Sequence, residues 1–272
     1  MGNLFLLLAL LSSLSIVLLL RIYEKKGFDR YVIIASNYLI SGSFGFLFLT
    51  DKSIPSIEVI IFSAIIGLLF FVSFSFFSYS LKRSGIASTV TFGRLSLAVP
   101  VIASILLWGE QPSVTDILSL VVIFLIIVLW EKNIKNISPS LLLLFILFGT
   151  IDASMKYFKI RFPDVDNNIF LITLFYSALI WSWIFIFSSR RRIRKMAVIN
   201  GFVLGVPNFF SSYFVLLALS KGIPAFITFP FINIGIIILS AILGKFLFME
   251  ELSAKRIVLI GLGITAIVLL TL

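Results

Sequence analysis

Four ionisable side chains stand inside long apolar stretches of this sequence: Arg94, Asp152, Lys156 and Lys245. Charges at membrane depth are costly and are kept where they bind, couple or pair. Arg94 carries a planar fork of N–H donors suited to a carboxylate or phosphate. Asp152 is the one deep carboxylate, since the other acids lie in connections or near segment ends. It is chemically able to hold an amine or to exchange a proton, and it is the candidate coupling residue. Lys156 follows Asp152 at the i,i+4 spacing of a helical ion pair. Lys245 lies near a segment end, where a long side chain snorkels to the interface. Two readings stay open: a polar cluster that binds a solute, or an Arg–Asp–Lys triad that neutralises itself in a cavity wall.

The chain has no His and no Cys. That removes the usual general base, the commonest metal ligand, thiol catalysis and disulfides. A membrane-embedded serine or metal hydrolase has nothing to work with, and an aspartyl protease needs a second deep Asp. No catalytic residue, metal site or cofactor is expected.

The elements that position these residues follow from composition. Sixty per cent of the 272 residues are hydrophobic, 12% are charged and the mean hydropathy is +1.18. A soluble domain carries about 25% charged residues. Ten apolar segments succeed one another, roughly at 3–20, 31–49, 58–80, 86–108, 114–130, 139–160, 168–188, 196–219, 224–248 and 254–271. A spanning helix takes about 20 residues, and these runs lack the alternation of barrel strands. The first run is too long for the apolar core of a signal peptide and is read as the first span. The expected fold is all-α integral membrane, with ten transmembrane helices. On that frame Arg94 lies about 12 Å into the fourth helix and Asp152 about 19 Å into the sixth. Both helices start from the same side, so the two groups meet near the midplane.

Net charge is +10, from 22 Lys and Arg against 12 Asp and Glu. The excess marks topology rather than nucleic-acid binding. Fifteen of the basic residues fall after odd-numbered segments and four after even-numbered ones, with the densest block at Arg190–Arg192, Arg194 and Lys195. Basic loops stay cytoplasmic, so both termini are expected on the external side of a cell (inner) membrane.

The halves repeat. Ser84-GIASTVTF-Gly93 aligns with Lys221-GIPAFITF-Pro230, and Gly109-Glu-Gln-Pro-Ser113 with Met249-Glu-Glu-Leu-Ser253. The register is 137 residues at the first match and 140 at the second. Each half holds five helices, and an odd number sends the second copy in from the opposite side. The architecture expected is two inverted five-helix repeats, 1–135 and 136–272, typical of alternating access. Pro230 and Asn233 match Gly93 and Ser96, so interrupted helices stand at corresponding places in the two halves. In the eighth helix, Gly201 and Gly205 permit close packing. Pro207 there frees a carbonyl, and Asn208 and Tyr213 are cavity candidates. The candidate substrate-binding set is therefore Arg94, Ser96, Asp152, Lys156, Asn208, Tyr213 and Asn233. The Phe-rich stretch Phe70–Tyr79 is either an aromatic cage for cations or ring-bearing substrates or lipid-facing bulk.

Helix count, pairing of halves and the closing segments "ALSKGIPAFITF…EELSAKRIVLIGLGITAIVLL" and "SLKRSGIASTV…GEQPSVTDILSLVVIFLIIVL" resemble the drug/metabolite transporter superfamily, in particular its EamA-type exporters and permeases. The resemblance rests on 81–130 and 218–272, the second copy being the stronger. It implies a central cavity lined by helices 1, 3, 4, 6, 8 and 9. Small multidrug relatives couple protons through a Glu in their first helix; helix 1 here has no carboxylate, so that mechanism does not carry over. Typical members place a basic cluster after helix 2, whereas here it follows helices 1 and 7.

The function expected is secondary transport of a small organic solute, an amino acid or related zwitterion or anion. A proton-coupled exporter of cationic aromatic compounds and a non-transporting membrane scaffold are the alternatives; a channel lacks any filter-like stretch. The expected partners are the small-molecule substrate and the lipid bilayer, with no nucleic acid. A monomer and a homodimer both fit.

Overall fold

A computed structural model describes residues 1–50, 54–130, 138–249 and 251–271. The start of the Asp51–Pro55 connection, the boundary at 135/136 and Glu250 of the repeat motif lie outside the described residues. With no water in the hydrocarbon core, backbone groups must pair within their own segment, which makes these runs helices. They are α1 (Gly2–Lys25), α2 (Arg30–Leu47), α3 (Ile57–Leu95), α4 (Ala98–Leu106), α5 (Val114–Trp130), α6 (Pro139–Arg161), α7 (Asn167–Ser188), α8 (Lys195–Ser220), α9 (Ala225–Phe248) and α10 (Ala254–Thr271).

Two departures from ten uniform spans have physical causes. Eight of the described stretches are long and apolar enough to cross a membrane. Of the others, α5 is a shorter apolar helix of 17 residues. The 18-residue α2 spends Ser36, Asn37 and Ser41 on buried contacts, which lowers its hydropathy. The second departure concerns the third and fourth spans, Ile57–Gly85 and Ser88–Leu106. They meet without a loop at Gly85, whose φ of +80° belongs to the region that favours glycine. The fourth span is itself broken at Ser96–Leu97, between α3 and α4. Pro100 has no N–H to offer the Ser96 carbonyl, and Val99 N–H takes that carbonyl at 3.0 Å instead.

The packing repeats as the sequence does. Helix starts recur 137 residues apart, at Gly2 and Pro139 and again at Arg30 and Asn167. Mates touch each other in the pairs α2–α7, α4–α9 and α5–α10. Three further contacts have images: α1–α8 with α6–α3, α1–α9 with α6–α4, and α2–α8 with α7–α3. The last pair uses the same kinds of contact, at nearby rather than register-matched positions. Ser41 Oγ donates to the Gly205 carbonyl at 3.0 Å, and Ser177 Oγ to the Ala64 carbonyl at 2.7 Å. At both crossings a glycine admits the neighbouring backbone: a Cβ on Gly201 would overlap the Ile33 carbonyl, and one on Gly67 the Leu174 carbonyl.

Contacts between connections sort the bundle into two ends. Asp29 binds Arg191, Ser84 beside the Gly85 kink meets Ser138 and Arg256 lies over the Trp130 ring, so the segments after α1, α5, α7 and α9 and the junction of the third and fourth spans are assigned to one end. We call it the basic end. At the opposite end Thr50 binds Asp166, Arg161 binds Glu58, Glu110 meets Ala225 and Gly2 packs on Ile223.

Candidate functional site

Arg94 lies one turn before the Pro100-induced break, and Asn233 one turn beyond Pro230 in α9. The Arg94 guanidinium donates to Asn233 Oδ1 at 2.9 Å, joining the fourth helices of the two repeats. Asn233 in turn donates to the Phe229 carbonyl of its own helix at 3.1 Å, which fixes its oxygen toward Arg94. Among the described residues Asn233 is the only hydrogen-bond partner of Arg94, leaving most of its five N–H donors for another acceptor. Asp152 on α6 is half-buried and within electrostatic reach of Arg94. It makes no hydrogen bond or direct ion pair with any described residue. Arg94, Asn233 and Asp152 thus come together at the repeat interface, with opposite charges close but not joined.

Lys156 departs from the expectation. Its ammonium pairs with Glu110 Oε1 at 2.6 Å, the two side chains being 14% and 12% exposed, rather than with Asp152. Glu110 also accepts from Ala225 N–H at 3.0 and 2.8 Å and from Phe226 N–H at 3.4 Å. The reason is the start of α9, where unpaired N–H groups and the helix dipole draw a carboxylate. Once Glu110 is fixed there, Lys156 neutralises it. Sequence reasoning left Glu110 among the loop acids. Its place in the repeated motif after the fourth helix was the signal that marks it.

The other candidates serve different places. Ser96 is buried and donates to the Gly93 carbonyl at 2.7 Å, closing its own helix beside the break. Asn208 donates to Asn37 Oδ1 at 2.9 Å and Ser41 Oγ at 3.4 Å, fastening α8 to α2 next to Pro207. Tyr213 stacks on Phe209 and lines a separate cavity of about 290 Å³ at the opposite end, with Phe48, Lys159, Asp166 and Asn168. A larger groove of about 790 Å³ runs between α1 and α8, past Ser12, Ser15 and Pro207. Much of the Phe-rich stretch goes into ring packing: Phe74 on Tyr31, Phe71 on Phe185 and Phe77 on Phe148. Among the described residues no group of three or more acids could hold a metal ion.

An all-helical bundle with eight helices long and apolar enough to span defines a multi-pass membrane protein. The EamA-like transporter family matches residues 1–131, ending one residue past α5. The match falls on the first half, although the closing segment of the second half carries the stronger resemblance by eye. An uncharacterized protein of Haemophilus influenzae is 31% identical over 268 residues, covering 90% of this chain and 89% of that one. A solved crystal structure at 14% identity has a TM-score of 0.79 over 99% of this chain and 96% of its own, so the two share the fold. The chain belongs to the EamA-like transporter family, within the drug/metabolite transporter superfamily, and is a membrane transporter. The family is one of transporters rather than enzymes.

Proposed function

We propose that this transporter moves a small organic solute, an amino acid or related zwitterion or anion, by alternating access as its two halves rock. The observation behind this reading is the interface of the repeats: Arg94 held by Asn233 and facing Asp152 without a direct ion pair. Arg94 takes the solute carboxylate or phosphate in its free donors, and Asp152 takes the amine or a proton. At that level the fourth span is broken at Ser96–Leu97 and the continuous α9 carries Pro230, which leaves one carbonyl of its helix without a backbone N–H; carriers of this architecture use interrupted helices there. By the positive-inside rule the basic end is cytoplasmic and both termini are external, in a cell (inner) membrane.

The test is uptake into proteoliposomes. Arg94→Ala should lose uptake of anionic and zwitterionic solutes by at least about tenfold, one charge-assisted hydrogen bond or more, and spare cationic ones. Equal uptake of every class in that variant would sink the reading. Asp152→Asn should abolish transport driven by a pH gradient yet leave solute exchange intact; unchanged pH dependence removes Asp152 as the coupling group. A second reading, export of cationic aromatic compounds, draws on the absence of a hydrogen bond to Asp152 among the described residues. It requires cationic uptake to vanish in Asp152→Asn and survive in Arg94→Ala.

A further inference from the structure

Arg94, Asp152 and Asn233 each have a companion on their own element, nearer the opposite end of the bundle. Beyond Arg94 the fourth span leads through α4 to Glu110, whose N–H donates to the Ser104 carbonyl at 3.0 Å and so ties it to the end of α4. Lys156 lies four residues beyond Asp152, about 6 Å along α6, and α6 runs from the basic end to the opposite one. Ahead of Asn233, α9 starts at Ala225. The three companions are joined: Glu110 pairs with Lys156 at 2.6 Å and accepts from Ala225 N–H at 2.8 Å. A solute passing from Arg94 and Asp152 to the opposite end between α4, α6 and α9 meets this cluster.

Two of the three elements are interrupted between the central residue and its companion. The fourth span breaks at Ser96–Leu97, between Arg94 and Glu110. Pro230 lies between Ala225 and Asn233 and leaves the Phe226 carbonyl without its helical N–H. The third element, α6, is continuous from Pro139 to Arg161. Because α4 packs on α9 and Glu110 fastens it to the first turn of that helix, the parts outboard of both interruptions form one unit. At the break, Gly149 of α6 admits Val99 and the Ser96 carbonyl, where an added Cβ would overlap both; that close contact is the pivot. The lysine belongs to this end alone: in the repeat register Leu19 stands in its place, beside the 790 Å³ groove.

We propose that α4 with Glu110 and the first turn of α9 form a gate at the opposite end, latched on Lys156. The gate swings away from Lys156 at the Ser96–Leu97 break and at Pro230, while Arg94 and Asn233 stay joined at the centre. The inference rests on the alternating access proposed above and names the contact that parts when the opposite end opens. The latch can part because both charges then stand in water; buried and alone, either would be costly. Here the latch is shut, so the conformation is the one closed at the opposite end.

The chain has no cysteine, so two introduced ones are the only thiols for spin labels. Gln111, next to the latch, and Asp164, just past α6, are both exposed. Gln111→Cys with Asp164→Cys reports the separation of gate and α6 by electron-spin distance measurement in liposomes, with no solute present. One main distance is expected in the otherwise unchanged chain. Glu110→Gln or Lys156→Met strands the other charge, so the proportion of molecules at a longer distance should rise at least about tenfold. Lys156→Arg, which keeps the charge, should hold the original distance. The double variant Glu110→Gln with Lys156→Met strands neither charge and is the readout if a single one fails to fold; it too should show more of the longer distance than the unchanged chain. A pair that only braces the fold would lower Tm in these variants and leave the distance where it was. That result, or equal lengthening in Lys156→Arg, overturns the proposal. Neither solute nor transport enters these readouts, so the gate and the central site fail separately.

Discussion

At the basic end, the aspartate that caps α2 holds an arginine stacked on two rings; at the opposite end, the aspartate that caps α7 holds the Thr50 backbone and hydroxyl at 2.8 and 2.7 Å. The same contrast runs down the centre. In the register that superimposes the repeats, Arg94, Asp152 and Lys156 stand where the other half has Phe231, Ser15 and Leu19. Scaffold features recur in both halves: the capping aspartates in register, the glycine crossings and serine-to-carbonyl bonds at nearby positions. The charges inside the bundle occur once. On the proposed reading, a solute approaching from either end would meet a symmetric scaffold around an asymmetric centre, with its cation contributed by one repeat and its carboxylate by the other. A carrier needs the two halves to move alike, but it binds one solute in one orientation, and the division between duplicated backbone and unique charge meets both requirements.

Breaking the duplicated part should have the largest effect. Gly67→Leu pushes a side chain into the Leu174 carbonyl and should cost about 3 kcal/mol or prevent folding. Gly261→Ala, where a Cβ meets nothing within 4 Å, should gain up to about 1 kcal/mol from helix propensity. Thermal unfolding in detergent separates the two; similar Tm values would mean that the α3–α7 crossing is looser than described. The next effect belongs to a unique charge. Glu110→Ala strands a buried Lys156 and uncaps α9, at about 3–5 kcal/mol. Lys156→Met in the same background should recover part of that loss. Full additivity of the two substitutions would show that they do not act as a pair.

How much of this was legible in the sequence follows the same division. The register could be read at 84–93 against 221–230 because small residues there are set by the turn, and it was missed at Asp29 and Asp166. Between those points any apolar residue satisfies lipid or a neighbouring helix, so the repeat decays into composition. Capping aspartates survive because only a few side chains satisfy exposed N–H groups. Arg94 was legible as a deep charge, and its neighbour Asn233 as a polar residue at a matching level of the other half. The partner of Lys156 was not legible, because helical spacing favours Asp152 and the competing carboxylate lies in another repeat. Asn208 and Tyr213 were read as cavity residues on polarity alone; polar groups also fasten helices to each other, which is the use the structure makes of Asn208.

The smallest effects sharpen the contrast between the two ends. Arg191→Leu removes one ion pair about 30% exposed on both sides together with its ring contacts, and should cost about 1–2 kcal/mol. The Arg161–Glu58 pair at the opposite end has a similar N–O distance, 3.0 Å, but its side chains are 52% and 57% exposed. Glu58→Gln should therefore change stability by no more than about 0.5 kcal/mol, and less still at high salt. Unfolding at two ionic strengths measures both. If Glu58→Gln cost as much as Arg191→Leu, the ring platform would not be what sets the basic end apart.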